Sequence, residues 1–390
     1  MNKKTKRTYM IIVAIAILVV AIAMIIIFTT SHQAQLSGAV VSESKQPIML
    51  GFISSLTGDA ASYGKDDLSA ATIAIEEINA QGGIGGRQLK LIAEDGKCSG
   101  TEASLAAQKL VNVDKVKIVL GGACSGETLT IAPITEAQKV ILFSSFSSNP
   151  AISDAGDYVF RNAPTDNDFG PPLAELMIKD GYKKIAIITE NTVYAQGLRK
   201  IFNQKVDELG GTIVADETFL PESKDFRAQI SKLEEGNPQA IFLNTQTEVS
   251  TGLLARQIRE SGIEVPFYGA FSMGGQQVID IAGSAIENST YVDAAGLTTP
   301  KGKLFLEQYT KKYGVPSSEY LIGASYDRVY ILKGALEKCS EDTDCIKDYL
   351  YSIKDYNGVL GTYGFNEKGD MTGMFVSIKK IIDGKAVVIG

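Results

Sequence analysis

Two short stretches hold the residues whose types and spacing suit chemistry. The first is VLGGACSGETLTIAP, where Gly121 and Gly122 end a β-branched run and Ser125 and Gly126 stand where a helix opens. A helix start leaves backbone N–H groups unpartnered, and its positive end favours an anion. A hydroxyl at that mouth, Ser125, suits a carboxylate; it equally suits a plain N-cap. Gly122-Ala-Cys124-Ser-Gly126 has the spacing of a nucleophile elbow. Cysteine catalysis, however, needs a base, normally histidine, and the sole histidine is His32, far to the N-terminal side. The GK[ST] ending of a phosphate loop is missing. The second stretch is LFSSFSSNPAI, in which Ser144, Ser145, Ser147 and Ser148 crowd the end of a strand. Ligands of open parallel sheets bind beyond the carboxyl ends of the strands, so these hydroxyls suit a small polar ligand. They also fit a solvated turn closed by Asn149-Pro150. No metal or cofactor is expected, and nothing demands an enzyme.

The elements that must position these residues alternate. Short β-branched runs at Ile48–Ser54, Gln88–Asp95, Lys117–Gly122, Val140–Ser145, Lys184–Glu190, Gly211–Phe219, Ala240–Gln246 and Pro266–Phe271 are each followed by a segment with apolar residues at helical spacing. Such alternation predicts α/β architecture with parallel sheets covered on both faces. The unit count exceeds one ordinary open sheet. RNAPTDNDFGPP, near Arg161–Pro172, breaks the pattern, and AAGLTTPK, near Ala294–Lys301, offers a second crossover. We therefore expect two doubly wound, Rossmann-like lobes joined by several hinge crossings: 47–165 plus 297–358, and 166–296 plus 359–390. A single (β/α)8 barrel is the alternative. GGIGGR (Gly82–Arg87) follows a helix and precedes a strand, so it reads as a helix end and tight turn.

Lys3, Lys4, Lys6 and Arg7 precede an unbroken apolar run from Met10 to Phe28. At about 1.5 Å per residue the run reaches roughly 28 Å, near the thickness of a bilayer core. The positive flank marks the cytoplasmic side, so the rest of the chain is expected outside the cell. The run exceeds a usual signal-peptide core and lacks a good cleavage site, so it reads as an uncleaved single-span anchor, with a signal peptide cleaved near Ala34 as the alternative. Residues 29–46 read as a flexible stalk. Beyond Arg7, 34 of the 38 basic residues remain against 45 acidic, a balance of −11. That argues against nucleic acid as a partner. The even count of cysteines (Cys98, Cys124, Cys339, Cys345) suggests disulfides in an oxidising compartment, with Cys339 and Cys345 closing a small loop around SEDTD.

The opening IMLGFISSLTGDAASYGKD, then AIEEINAQGGIGGRQLKLIAED, GGACSGET, SSNPAI, ENTVYAQGL, KDFRAQISKL, ASYDRVYIL and YGFNEKGD resemble, in this order, the type I periplasmic binding protein fold. Within it, the chain resembles the leucine/isoleucine/valine-binding family of ABC-transporter receptors, over essentially all of residues 47–390. The resemblance implies a receptor that closes two lobes over a branched-chain or other amino acid, or a related amide, and serves ABC permease subunits. Ser125 matches the serine that holds the ligand α-carboxylate. Ser147 and Ser148 match a pair whose backbone and hydroxyl bind carboxylate and ammonium. Tyr63 matches an aromatic at the cleft rim, Tyr194 one that closes from the second lobe, and Tyr326 falls near the hinge-facing wall. Cys98 and Cys124 match a family disulfide. The family often places an acid for the ammonium where this chain has Phe271; Glu248, in NTQTEVS, is the expected substitute. A ligand-sensing ectodomain is the alternative role.

Overall fold

The computed structural model describes residues 2–36 and 46–390, in two units, Met1–Gln46 and Pro47–Gly390. The first unit holds helix α1 (Lys3–Leu36), whose segment Lys3–Thr29 is long and apolar enough to cross a membrane. The helix runs on past Phe28 into the predicted stalk, because no glycine or proline stops it and the Thr29 hydroxyl is absorbed by the Ile25 carbonyl at 3.0 Å. The remainder of the stalk, 37–45, lies outside the described residues.

The second unit runs β1 (Ile48–Ser54), α2 (Ala61–Ala80), β2 (Leu89–Asp95), α3 (Gly100–Asn112), β3 (Ile118–Gly121), α4 (Ser125–Ala137), β4 (Ile141–Ser144) and β5 (Val159–Arg161). It continues with α5 (Asp166–Lys179), β6 (Lys184–Glu190), α6 (Val193–Glu208), β7 (Thr212–Phe219), α7 (Arg227–Glu235), β8 (Ala240–Asn244), α8 (Glu248–Glu260), β9 (Phe267–Gly269), α9 (Gln276–Ala282) and β10 (Thr290–Ala294). Then come α10 (Pro300–Tyr313), α11 (Glu319–Cys339), α12 (Thr343–Ser352), β11 (Tyr356–Asn357), β12 (Thr362–Phe365), β13 (Met371–Thr372), β14 (Val376–Ile382) and β15 (Lys385–Val388).

The strands form two large open sheets, which excludes the barrel, and a small three-stranded sheet in the order β11-β12-β13. The first lobe has five parallel strands in the order β2-β1-β3-β4-β5, with Ile48 opposite Leu89 and Gly51 opposite Val119. The second has the order β15-β14-β10-β9-β8-β6-β7, parallel except for β14 and β15, the hairpin turning at Asp383-Gly384. The central strands bury both faces, as parallel sheets between helices require: β3, β4 and β8 are buried at every residue.

The last crossing comes later than residue 358. Phe365 of β12 packs against Phe143 and Phe160 of the first sheet, with ring centroids 5.7 and 6.1 Å away, and Gly369 accepts from the Arg161 N–H at 3.0 Å. Residues 359–372 therefore stay with the first lobe, because Phe365 completes that lobe's core, and the chain crosses only before β14. In the first lobe, α11 is fastened to α2 by a fully buried ion pair, Arg328 to Asp67 at 2.6 Å. The same carboxylate accepts from Ser145 at 3.0 Å, and Arg328 donates to the Phe143 carbonyl at 3.0 Å. The end of β4 is thus tied to the two helices that flank it.

Candidate solute-binding cleft

Strand order reverses around β1, whose neighbours lead one way to β2 and the other way to β3 and β4. The crevice beyond the carboxyl ends of the strands opens there. Tyr63 enters from α2, which follows β1. Gly64 beside it lets that helix sit against the end of β1, since a Cβ there would lie 2.0 Å from the Ser55 carbonyl oxygen.

Ser125 is the first residue of α4; the cap is Cys124 rather than Ser125. Glu127 closes this helix start. Its carboxylate accepts from the Cys124 N–H and the Cys98 N–H, both at 3.0 Å, while a disulfide joins Cys98 to Cys124 with Cα atoms 5.3 Å apart. Burial pushes the Glu127 carboxyl up to about 7, against the pull of those N–H groups. With the capping done by its neighbours, the Ser125 hydroxyl accepts from the Asn149 N–H at 3.3 Å and lines the cleft.

The serines after β4 divide their work. Ser144 donates to the Gly122 carbonyl at 2.7 Å, and the Ser147 hydroxyl meets that carbonyl at 2.9 Å and the Thr128 hydroxyl at 2.6 Å. The Ser147 hydroxyl therefore turns into its own lobe to satisfy buried carbonyls, which leaves its backbone as the part that can serve a ligand; Ser148 lines the cavity. Arg161 holds this loop from behind. It is fully buried, pairs with Asp370 at 2.7 Å and donates to the Asn149 carbonyl at 2.8 Å.

The second lobe contributes Tyr194 from the first turn of α6, Gln246 from the loop after β8, and Phe271 from the turn after β9. Polar contacts fasten it across the cleft. Gln246 Nε2 donates to Cys98 Sγ at 2.8 Å, and Asn149 Nδ2 donates to the Val193 carbonyl at 2.9 Å while its Oδ1 accepts from Ala151 N–H at 2.9 Å. Lys224 pairs with Asp59 at 2.6 Å on the exposed rim. Between the lobes Phe271 meets Phe146 edge-on at 4.8 Å and Tyr63 at 6.0 Å, and Tyr194 lies 5.1 Å from Phe271.

The enclosed space is lined by Tyr63, Ala123, Cys124, Ser125, Phe146, Ser148, Tyr194, Gln246 and Phe271. The room left for a water-sized sphere is about 10 Å³, roughly one water. The Tyr63 and Tyr194 hydroxyls are buried without a hydrogen-bond partner, and burial holds both far above the ordinary phenol range, so they remain donors. Asp166, behind Ser148, is pushed up to about 7 by burial, with the Ser148 hydroxyl and then Arg161 pulling the other way.

Of the residues expected at the ligand, Tyr63, Ser125, Ser148 and Tyr194 share this cavity. Glu248 does not line it. Its Oε2 accepts from the Gln277 N–H at 3.1 Å, and it faces an outer groove with Asp59, Lys65 and Asp66; burial raises it to about 7. Tyr326 points away from the cleft altogether. It donates to Glu77 at 2.6 Å and packs on Phe305 and Tyr330, because it lies on the outer side of α11, over α2 and α10. Phe146 went unread at the level of sequence, although its place among four serines was the available signal. Both expected disulfides, Cys98–Cys124 and Cys339–Cys345, are present. Cys345 lies inside helix α12 rather than in a loop. No group of three or more His, Cys, Asp or Glu among the described residues is placed to hold a metal ion.

Comparison with known proteins agrees with this geometry. Residues 47–378 match the family described as periplasmic binding protein. The chain is 30% identical over 335 residues to the leucine-, isoleucine-, valine-, threonine- and alanine-binding protein of Pseudomonas aeruginosa, covering 85% of this chain and 88% of that one. A leucine binding protein from Thermotoga maritima superposes with TM-score 0.81 at 27% identity, over 88% of this chain and 98% of that one. The branched-chain amino acid transporter substrate binding protein of Streptococcus pneumoniae, solved with isoleucine, superposes with TM-score 0.78 at 28% identity, over 88% and 99%. The chain belongs to the periplasmic binding protein family, whose members bind solutes rather than transform them.

Proposed function

We propose that this protein is a membrane-tethered receptor that closes two lobes over one small carboxylate-bearing solute and delivers it to an ABC importer. The solute is of the size class of the amino acids for which its relatives are named. The observation that carries the reading is convergence. Ser125 and Ser148 from one lobe, and Tyr194 and Gln246 from the other, meet on one enclosed cavity at the positive end of α4. The carboxylate docks on the Ser125 and Ser148 hydroxyls; Tyr63 and Tyr194 close over the rest. Because Phe146 and Phe271 meet in the closed cleft, where about one water has room, the solute enters by hinge opening, and its own contacts replace the ring–ring contact on closure. Helix α1 supplies the tether, with the binding unit on the extracellular side.

A thermal-shift panel of amino acids, their amides and small carboxylates tests the reading. A solute at 100 times its dissociation constant adds about 2.7 kcal/mol. Failure of every member of the panel would overturn it. Whole-protein expression followed by a high-salt membrane wash tests the tether: the chain stays with the membrane, whereas a soluble form starting near residue 32 would show a cleaved signal instead.

A further inference from the structure

We propose that the bound solute is a carboxylate with no ammonium group: an alkyl, aryl or 2-oxo monocarboxylic acid rather than an α-amino acid. This rests on the receptor reading above and sharpens it.

The cavity lining offers donors and no acid. Ser125, Ser148, Tyr63 and Tyr194 present hydroxyls, Gln246 presents an amide, and everything else is apolar: Ala123, Cys124, Phe146 and Phe271. The tyrosine hydroxyls have no partner within the protein. An acceptor-rich carboxylate or keto oxygen satisfies such a set, and the positive end of the thirteen-residue α4 favours it further. An ammonium brings three donors and a charge, and it needs an acceptor of opposite charge once water is excluded.

Three of the acids around the cavity are bonded elsewhere. Glu190 accepts from the Gln246 N–H at 2.8 Å. Glu248 accepts from Gln277 and faces the outer groove. Asp293, on the far side of the Phe146–Phe271 pair, holds Lys379 at 2.7 Å and the Ala294 N–H at 2.8 Å. Asp166, whose carboxyl oxygens are buried without a partner, stands behind Ser148 and lines neither the cavity nor the space beyond those two rings. Ring faces also attract cations, yet here Phe271 meets Phe146 and Tyr63 edge to face, with both interplanar angles 68°, so neighbouring rings compete for those faces.

The test pairs each α-amino acid with its des-amino and 2-oxo counterparts: L-leucine with 4-methylpentanoate and 4-methyl-2-oxopentanoate, and L-phenylalanine with 3-phenylpropanoate and phenylpyruvate. Calorimetry on the intact protein in detergent reads the affinities. The expected result is that the ammonium-free member of a pair binds about ten- to hundred-fold tighter, the scale of an unpaired buried charge. An amino acid that binds as tightly as its counterpart, or tighter, overturns the inference and leaves the receptor reading intact. No binding by any of these acids overturns both. Phe271→Glu provides the converse: it introduces an acid at the cavity wall and shifts preference toward the amino acid, and an unchanged preference in the folded variant counts against the inference.

Discussion

The Arg161 guanidinium lies 2.7 Å from the Asp370 carboxylate, with the arginine side chain fully buried and the aspartate 10% exposed. Asp370 comes from the last segment of chain that stays with the first lobe, and Arg161 from its edge strand, so the pair joins the end of the fold to the loop that presents Ser148. Asp370→Ala leaves a buried cation short of its partner. We expect a loss of about 3–5 kcal/mol in urea unfolding, together with weaker solute binding. A loss below about 1 kcal/mol would mean that the Asn149 carbonyl and the Ser153 hydroxyl suffice for Arg161.

Ser125→Ala removes a hydroxyl from the solute and little from the fold, since Cys124 and Glu127 cap the helix. Calorimetry should show affinity weakened by about 1.5–3 kcal/mol, the scale of a hydrogen bond to a charged group, with thermal stability nearly unchanged. Wild-type affinity in this variant would remove Ser125 from the site.

Glu248→Gln separates the cleft from the outer groove. Because Glu248 does not line the cavity, affinity for a monocarboxylate should change by no more than about 0.5 kcal/mol. A large loss would bring Glu248 into contact with the solute.

Protonation should mark stability in a defined direction. Burial raises Glu127, Asp166, Glu248 and Asp327 to about 7. A carboxyl raised in the folded state binds more protons there than in the unfolded chain. Its contribution is therefore fully present below the unfolded value, about 4, and is lost as pH rises through the folded one. Asp166→Asn should consequently gain stability relative to the wild type as pH goes from 5 to 8, measured as the difference in unfolding midpoints. A difference that stays flat across that range would show that Asp166 is already ionised at pH 5.

The two disulfides should not count equally. Cys98–Cys124 closes a separation of 26 residues and Cys339–Cys345 one of 6. Loop-closure entropy makes the first worth about 3 kcal/mol and the second less. Paired Cys→Ser variants of each bridge, compared by denaturant unfolding, check the order; equal losses would point to packing around the sulfurs rather than chain entropy.

Much of this was legible because β-branched runs alternating with helical spacing permit few other folds, and because Ser125 and Ser148 follow strands whose ends must face the crevice. What was not legible depended on direction. In α11 most residues are buried on all sides, from Tyr320 to Cys339, so its periodicity does not reveal which side faces the cleft, and Tyr326 fell on the other one. Ser147 and Ser148 are chemically alike, and it is the buried Gly122 carbonyl and Thr128 hydroxyl that draw the first inward. The strand β5 is three residues long, and β12 and β13 are shorter than or near the limit at which alternation can be seen, so the late crossing to the second lobe left no signal. Glu248 opens a helix next to the cleft, but the way its carboxylate turns is set by the Gln277 N–H, 29 positions further along the chain.

Asn149 belongs to two bodies at once: its oxygen holds the Ala151 amide in the first lobe and its nitrogen holds the Val193 carbonyl in the second. It also directly follows Ser148. Through this contact a force that separates the lobes reaches the residue next to Ser148, and the Asn149 N–H is bonded to Ser125. In the proposed receptor, prying the lobes apart and loosening the solute are then a single mechanical event.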